Sequence, residues 1–210
     1  MPQSKPQASA TVAGLADISA VARCLRKGGV ALLPTDTVYG LAVLPARQEA
    51  VERLYRMKSR PRDRNLPVMV ADPRELARMG VVAGPQAAPL LASRFMPGPL
   101  TLVLGFGDGP RPLWLAGRTE MALRIPDDPW LRRLLRRCGP LCVTSANPHG
   151  LPTPETPAEI LALLPEQPDI VVDDGPRRGA PSTLVNCLAA PPVVERAGPV
   201  PPDELAALLG

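Results

Sequence analysis

Apolar positions along the chain recur in two periods, and the switch between them marks out the elements. Asp17 is placed to cap a helix that runs to about Lys27 and ends at Gly28-Gly29. The apolar run GGVALLP predicts a strand over 30–33, and a second strand is expected over 39–44. Apolar residues at 50, 51, 54, 55 and 57 predict a helix over 47–57, which Pro61 prevents from continuing far past Lys58-Ser59-Arg60. A strand follows over 66–71, then short helices around 73–79 and 86–95. PGPLTLVLGF reads as a turn and a strand, and 121–125 as another strand. A helix over 129–137 carries paired arginines on its outer side, and 140–144 is a strand. Thr156-Pro157-Ala158-Glu159 has the form of a capping box with proline at the first helical position. Strands at 169–173, 182–188 and 192–196 and a last helix at 203–209 complete the pattern.

Strands and helices therefore interleave, with some strands adjacent in sequence, which predicts an α/β fold with one twisted mixed sheet of parallel and antiparallel strands flanked by helices. Residues 1–14 are polar and read as a flexible tail, and 15–210 as one domain. The N-terminus lacks the apolar core of a signal peptide, and no run of about 18 apolar residues occurs, so a cytoplasmic protein without a membrane span is expected. The 29 prolines are dispersed and fall at element ends, and no internal repeat is visible.

Composition narrows the chemistry. Aromatics are 3% of the chain, so base stacking is not its main mode of binding, and the core must be aliphatic. Cys24, Cys138, Cys142 and Cys187 form no CxxC pair and are expected as reduced thiols, with no metal site. The net charge is +4, and the segment from Arg47 to Arg64, with seven basic and three acidic residues, carries the same +4 by itself. Such a concentration of positive charge suits an anionic ligand, phosphate or nucleic acid, although a charge run is also an ordinary solvated helix face.

Several familiar sites are missing. There is no GxxxxGK[ST] loop, GFGDG at 105–109 lacks dinucleotide-binding spacing, and no GxSxG elbow is present. The single histidine, His149, rules out His-rich metal clusters, and a Ser-His-Asp triad would require it to stand beside Ser145. What is present is a set of hydroxyls and cations at the ends of strands and helices. Lys58 and Arg60 pair a point charge with a planar fork, a combination suited to polyphosphate. Thr35 and Thr37 flank Asp36 in PTDTVYGL; Thr144, Ser145 and Asn147 follow the strand PLCV; Ser182 opens another strand. Small polar groups at the carboxyl ends of strands are where α/β sheets hold ligands. Arg124 inside the apolar MALRIP needs a carboxylate or a route to solvent, and Arg196 ends the strand VVER.

Taken in order, PTDTVYGL, KSRP, PGPLTLVL, LRIP, TSAN, PST and ERAG resemble the YrdC/TsaC family, over about residues 18–199. The resemblance implies a partly closed mixed sheet around a positively charged cavity. It implies an L-threonylcarbamoyladenylate synthase, a nucleotidyltransferase that joins L-threonine, bicarbonate and ATP and releases pyrophosphate, in the first step of N6-threonylcarbamoyladenosine formation at tRNA position 37. By the same resemblance Lys58 and Arg60 are the catalytic, phosphate-contacting pair, and Thr144, Ser145, Asn147 and Arg196 complete the ATP set. Thr35, Thr37, Arg124 and Ser182 stand near threonine and bicarbonate, with Arg124 on the amino-acid carboxylate. Mg2+ would be carried on the ATP phosphates. A downstream tRNA threonylcarbamoyl-transferase complex is the implied partner, with weak tRNA or double-stranded RNA contact. The chain is too short for the second domain of longer members. Asn65, Met69, Pro126, His149 and Asn186 depart from the family pattern and bear on the amino-acid pocket.

Two rival readings remain open. YrdC-like domains also occur in larger carbamoyl-adenylate-forming proteins, but the acylphosphatase and zinc-finger segments of those are missing here. A non-catalytic double-stranded RNA or ribosome-binding factor would fit the pI of about 9.2, and steep salt dependence would mark it.

Overall fold

A computed structural model describes residues 11–13 and 17–209. Its elements are β1 (Thr11–Ala13), α1 (Ile18–Arg26), β2 (Ala31–Leu33), β3 (Gly40–Val43), α2 (Gln48–Lys58), β4 (Val68–Met69), α3 (Glu75–Arg78) and β5 (Val81–Val82). Then come α4 (Ala88–Leu91), β6 (Leu100–Phe106), a 3-10 turn at Leu113–Leu115, β7 (Glu120–Arg124), α5 (Pro129–Cys138), β8 (Leu141–Ser145) and α6 (Pro157–Leu163). β9 (Ile170–Val172), β10 (Thr183–Asn186), β11 (Val193–Arg196) and α7 (Pro202–Leu209) end the chain. All the strands join one mixed sheet in the order β1-β9-β2-β3-β8-β4-β7-β6-β10-β11, with β5 paired to β6.

Local chemistry sets the helix ends. The Asp17 carboxylate accepts the Ala20 N–H at 2.9 Å, and Thr156 and Glu159 form the reciprocal capping box. α2 stops where Ser59 turns left-handed at φ 50°, and the Arg60 N–H closes back onto the Tyr55 carbonyl at 3.0 Å. One expectation is corrected at the N-terminus. Residues 11–13 are a strand, parallel to β9, because the Thr11 N–H finds the Asp169 carbonyl at 3.2 Å and the TVA triplet extends a sheet edge. The rest of the expected tail lies outside the described residues. The 66–71 strand shrinks to a two-residue ladder, and the helices expected at 73–79 and 86–95 shorten to four residues each.

Side-chain parity divides the sheet into two faces. Leu100, Leu102 and Leu104 of β6, Met121 and Leu123 of β7, and Val185 of β10 point into a core shared with α2, α3, α4, α6 and α7. On the opposite face α1 and α5 cover only one half, packing Val21, Leu25, Leu131, Leu134 and Leu135 on Ala31, Leu33, Ala42, Val143, Ile170 and Val172. Over β6, β7 and β10 that second core ends. There Thr101, Val103, Ala122, Arg124, Ser182 and Leu184 face a cavity of about 240 Å3. The cavity thus lies on a sheet face that the flanking helices leave uncovered.

Candidate active site

Seven segments converge on this cavity. PTDTVYGL contributes Thr35 to Gly40, the turn after α2 contributes Arg60, and β6 contributes Thr101. Arg124 comes from β7, Thr144 and Ser145 from β8, Ser182 from the start of β10, and Glu195 and Arg196 from β11. Gly40 permits the close approach of β3 to β8, since a Cβ there would lie 2.7 Å from a Val143 methyl.

The loop after β2 is built from its own hydroxyls. Thr35 Oγ1 donates to the Val38 carbonyl at 2.7 Å, accepts the Thr37 N–H at 3.1 Å, and lies 3.1 Å from Thr37 Oγ1. Arg177 braces the loop from behind, donating from Nε to the Thr35 carbonyl at 3.1 Å, while the Tyr39 hydroxyl donates to the Gly175 carbonyl at 2.8 Å. At Gly179 a Cβ would overlap the Thr37 carbonyl oxygen. None of these braces was read from the sequence. Arg177, Gly175 and Gly179 lie about 140 positions away from the loop they hold.

Arg124 is 4% exposed and directed by three acceptors: Gly98 O from Nε at 3.0 Å, Thr37 Oγ1 from Nη1 at 2.8 Å and Asp36 Oδ1 from Nη2 at 2.8 Å. Burial presses its guanidinium below the ordinary value, and Asp36 pulls the other way. Asp36, to which the sequence assigned no role, is thus the carboxylate that a buried arginine requires. Ser182 Oγ is 2.7 Å from Thr101 Oγ1 and accepts from Arg196 Nη2 at 3.2 Å; Arg196 also holds the Ser182 carbonyl from Nε and Nη2. The Arg196 guanidinium is pushed below its usual value, first by burial and then by Arg124 and Arg60. Arg196 therefore feels both of the other arginines across the cavity. Asp63, Glu120 and Glu195 share its lining.

Two expected residues stand outside the lining. Lys58 is 1% exposed, and its ammonium donates to the Ser145 carbonyl, to the Asn147 carbonyl at 2.6 Å and to Asn147 Oδ1 at 3.3 Å. Burial and Arg60 push it down to about 7, while three oxygen acceptors favour the ammonium form. Asn147 in turn donates from Nδ2 to the Pro148 carbonyl at 3.0 Å and to the Leu151 carbonyl at 2.5 Å. Both residues shape the 145–151 loop. The physical reason is helix phase: Lys58 lies on the buried face of α2, while the turn after Ser59 carries Arg60 to the cavity. Two more arginines of the basic segment are engaged within the fold. Arg53 bonds Glu166, Asp169 and the Gln167 carbonyl, and Arg62 pairs with Glu52. Residues that the sequence reading passed over include Thr101, whose alternation opposite Arg124 is visible in PGPLTLVL.

A family model for Sua5/YciO/YrdC proteins, described as "Telomere recombination", matches residues 23–198. The chain belongs to the Sua5/YciO/YrdC family. It is 36% identical over 196 residues to threonylcarbamoyl-AMP synthase of Bacillus subtilis (strain 168), covering 92% of this chain and 56% of that protein. It is 31% identical over 188 residues to threonylcarbamoyl-AMP synthase of Pyrococcus abyssi (strain GE5 / Orsay), covering 89% of this chain and 55% of that one. The crystal structure of P. abyssi Sua5 complexed with L-threonine superposes with a TM-score of 0.84 at 30% identity, over 97% of this chain and 61% of that one. The chain thus spans little more than half the length of these relatives. In this Sua5/YciO/YrdC chain, each of the seven sequence motifs places at least one residue in the cavity lining. Among the described residues no group of three His, Cys, Asp or Glu side chains could hold a metal ion, and no helix is long and apolar enough to cross a membrane.

Proposed function

We propose that the chain is a threonylcarbamoyl-AMP synthase, acting in the cytoplasm on L-threonine, bicarbonate and ATP in the first step of tRNA threonylcarbamoyladenosine formation. The observation that carries this reading is the meeting of Arg60, Arg124 and Arg196 beside Thr101, Ser145 and Ser182 in one cavity. These three cations suit a ligand with several negative charges, and family membership supplies the candidate.

Arg124 retains two of its five N–H donors once Gly98, Thr37 and Asp36 are served, and these would take the threonine carboxylate. Thr35 and Thr37 shape that end of the cavity, and Ser182 offers its hydroxyl there. The threonine amine adds to bicarbonate with loss of water, giving a carbamate. The carbamate oxygen then attacks the ATP α-phosphorus, and pyrophosphate leaves with the electron pair of the broken P–O bond. Arg60 and Arg196 would stabilise charge on the phosphates, the preorganised electrostatic contribution that usually dominates such transfers. Thr144 and Ser145 meet the nucleotide. Lys58 and Asn147 hold the loop that presents Ser145, and Lys58 lies one backbone carbonyl behind the phosphate set. No side chain need act as a nucleophile. Among the described residues no group of three His, Cys, Asp or Glu side chains could hold a metal ion, and Mg2+ would enter on the ATP phosphates. The product is a mixed anhydride prone to hydrolysis, which calls for a tRNA threonylcarbamoyl-transferase close downstream.

Incubation with ATP and bicarbonate should release pyrophosphate only when L-threonine is present; threonine-independent release ends this reading. One observation favours a second, compatible role in RNA contact. Arg23, Arg26 and Lys27 of α1 and Arg133, Arg136 and Arg137 of α5 are all exposed on two adjacent helices that contain no acidic residue.

A further inference from the structure

Asp36 is the one charged member of PTDTVYGL, the proposed chemistry leaves it unused, and its surroundings are specific. Its side chain is 12% exposed and that of Arg124 is 5%, with Oδ1 to Nη2 at 2.8 Å. Thr35 and Thr37 on either side line the cavity, whereas Asp36 does not; Arg124 does. The carboxylate therefore grips the guanidinium from behind while the cavity meets it from the front. Gly98 O and Thr37 Oγ1 fix the same guanidinium from two other directions. Three acceptors over-determine its orientation, and only one of them is charged.

A neutral acceptor would suffice to orient Arg124. The charge on Asp36 does something else. It cancels part of the field that an incoming carboxylate would feel, in a buried setting where that field is strong. We propose that Asp36 is a positioning residue that holds Arg124 ready for an amino-acid carboxylate and sets the strength of that contact, so that one guanidinium is shared between an internal carboxylate and a substrate carboxylate. This rests on the synthase reading for the identity of the ligand. It has a functional logic there, since threonylcarbamoyl-AMP keeps the threonine carboxylate, and a half-neutralised arginine holds substrate without trapping product.

Asp36→Asn isolates the charge, because the amide oxygen can still accept from Nη2. Calorimetry with L-threonine and with threoninamide, which lacks the carboxylate, gives an affinity ratio for each protein. A loss of shape would weaken both ligands together and leave the ratio unchanged. The ratio in favour of threonine is expected to rise at least about fivefold in Asp36→Asn, the change that even a water-screened unit charge a few ångströms away would give. The KM for threonine in pyrophosphate release should fall in step. An unchanged or smaller ratio overturns the proposal. Should Asp36→Asn not fold, the native protein decides: a ratio below about tenfold supports a half-neutralised Arg124, and a larger one refutes it, because an uncompensated buried arginine would discriminate more strongly. Native protein that releases pyrophosphate with threonine while Asp36→Asn leaves the ratio unmoved sinks only the role of Asp36. The predicted ratios without any pyrophosphate release sink only the synthase reading. Failure of threonine to bind the native protein sinks both.

Discussion

Lys58 combines a charge, near-complete burial and three oxygen acceptors, and its titration should be visible in stability. The folded chain gives up this proton near 7, whereas an unfolded lysine holds it to about 10.5. Between those values the unfolded state binds more protons, so unfolding free energy should rise with pH across that window. Lys58→Met should flatten the rise, read by urea unfolding at several pH values from 6.5 to 9. Parallel profiles for the two proteins would assign the titration to another group. Lys58→Ala carries a second expectation. It leaves the Ser145 and Asn147 carbonyls without their donor, so it should cost about 1–3 kcal/mol and lower turnover by loosening the loop that presents Ser145. Near-normal pyrophosphate release would show that this loop needs no tether. The sequence singled out Lys58 for the phosphates, whereas the structure ties its ammonium to the 145–147 backbone. KSRP places two cations two residues apart, and only the phase of α2, with Ser59 turned left-handed, sends one inward and the other to the cavity.

At the level of elements, the legible features were those written in neighbouring residues. The Asp17 cap, the Thr156 capping box and the alternation of LTLVLGF all read directly because the interacting groups lie within a few positions. Short partners of the sheet were not legible. β1 and β5 are three and two residues long, and their strand character comes from Asp169 and from β6 rather than from their own pattern. The site divides in the same way. Its hydroxyls and arginines sit at predicted strand ends, but the contacts that hold them cross the chain. The segment 174–180 is the clearest case, since Arg177 and Gly179 press on the loop between β2 and β3 from far downstream. Gly179 has no left-handed backbone to explain it; what requires glycine is the Thr37 carbonyl where a Cβ would stand. Gly179→Ala should therefore displace Thr37 and with it the Nη1 acceptor of Arg124. The expected result is a several-fold higher KM for threonine, little change for ATP, and a stability loss of about 1–3 kcal/mol from overpacking. Equal effects on both substrates would mean that the segment supports the whole cavity rather than its amino-acid end.

On the scale of the whole molecule, the Arg47–Arg64 segment, where the sequence concentrates its charge, sends Arg60 and Arg64 to the cavity lining. Of its other cations, Arg53 turns onto Glu166 and Asp169, Arg62 onto Glu52, and Lys58 onto the Ser145 and Asn147 carbonyls. Arg23, Arg26 and Lys27 repeat at i, i+3 and i+4 on α1, and Arg133, Arg136 and Arg137 do so on α5. Among the described residues none of the six forms an ion pair, and Arg26 reaches the Arg137 carbonyl at 2.6 Å, which brings the two cationic helix ends together. Like charges at such spacings oppose helix formation, although cations in a last turn also favour the helix dipole. No large apolar side chain is exposed on either helix, which disfavours insertion into a lipid surface. A phosphate backbone fits better, and with few aromatics available the contact should be sequence-tolerant. If about four phosphates are engaged, duplex RNA affinity should fall on the order of a hundredfold between 50 and 200 mM salt. Arg133→Glu, Arg136→Glu and Arg137→Glu together should abolish that binding in a filter or anisotropy assay. Threonine-dependent pyrophosphate release should stay unchanged, because no residue of α5 lines the cavity. RNA binding that survives the triple reversal, or that ignores salt, would remove this face from any RNA contact and leave the cavity arginines as the anion site of the molecule.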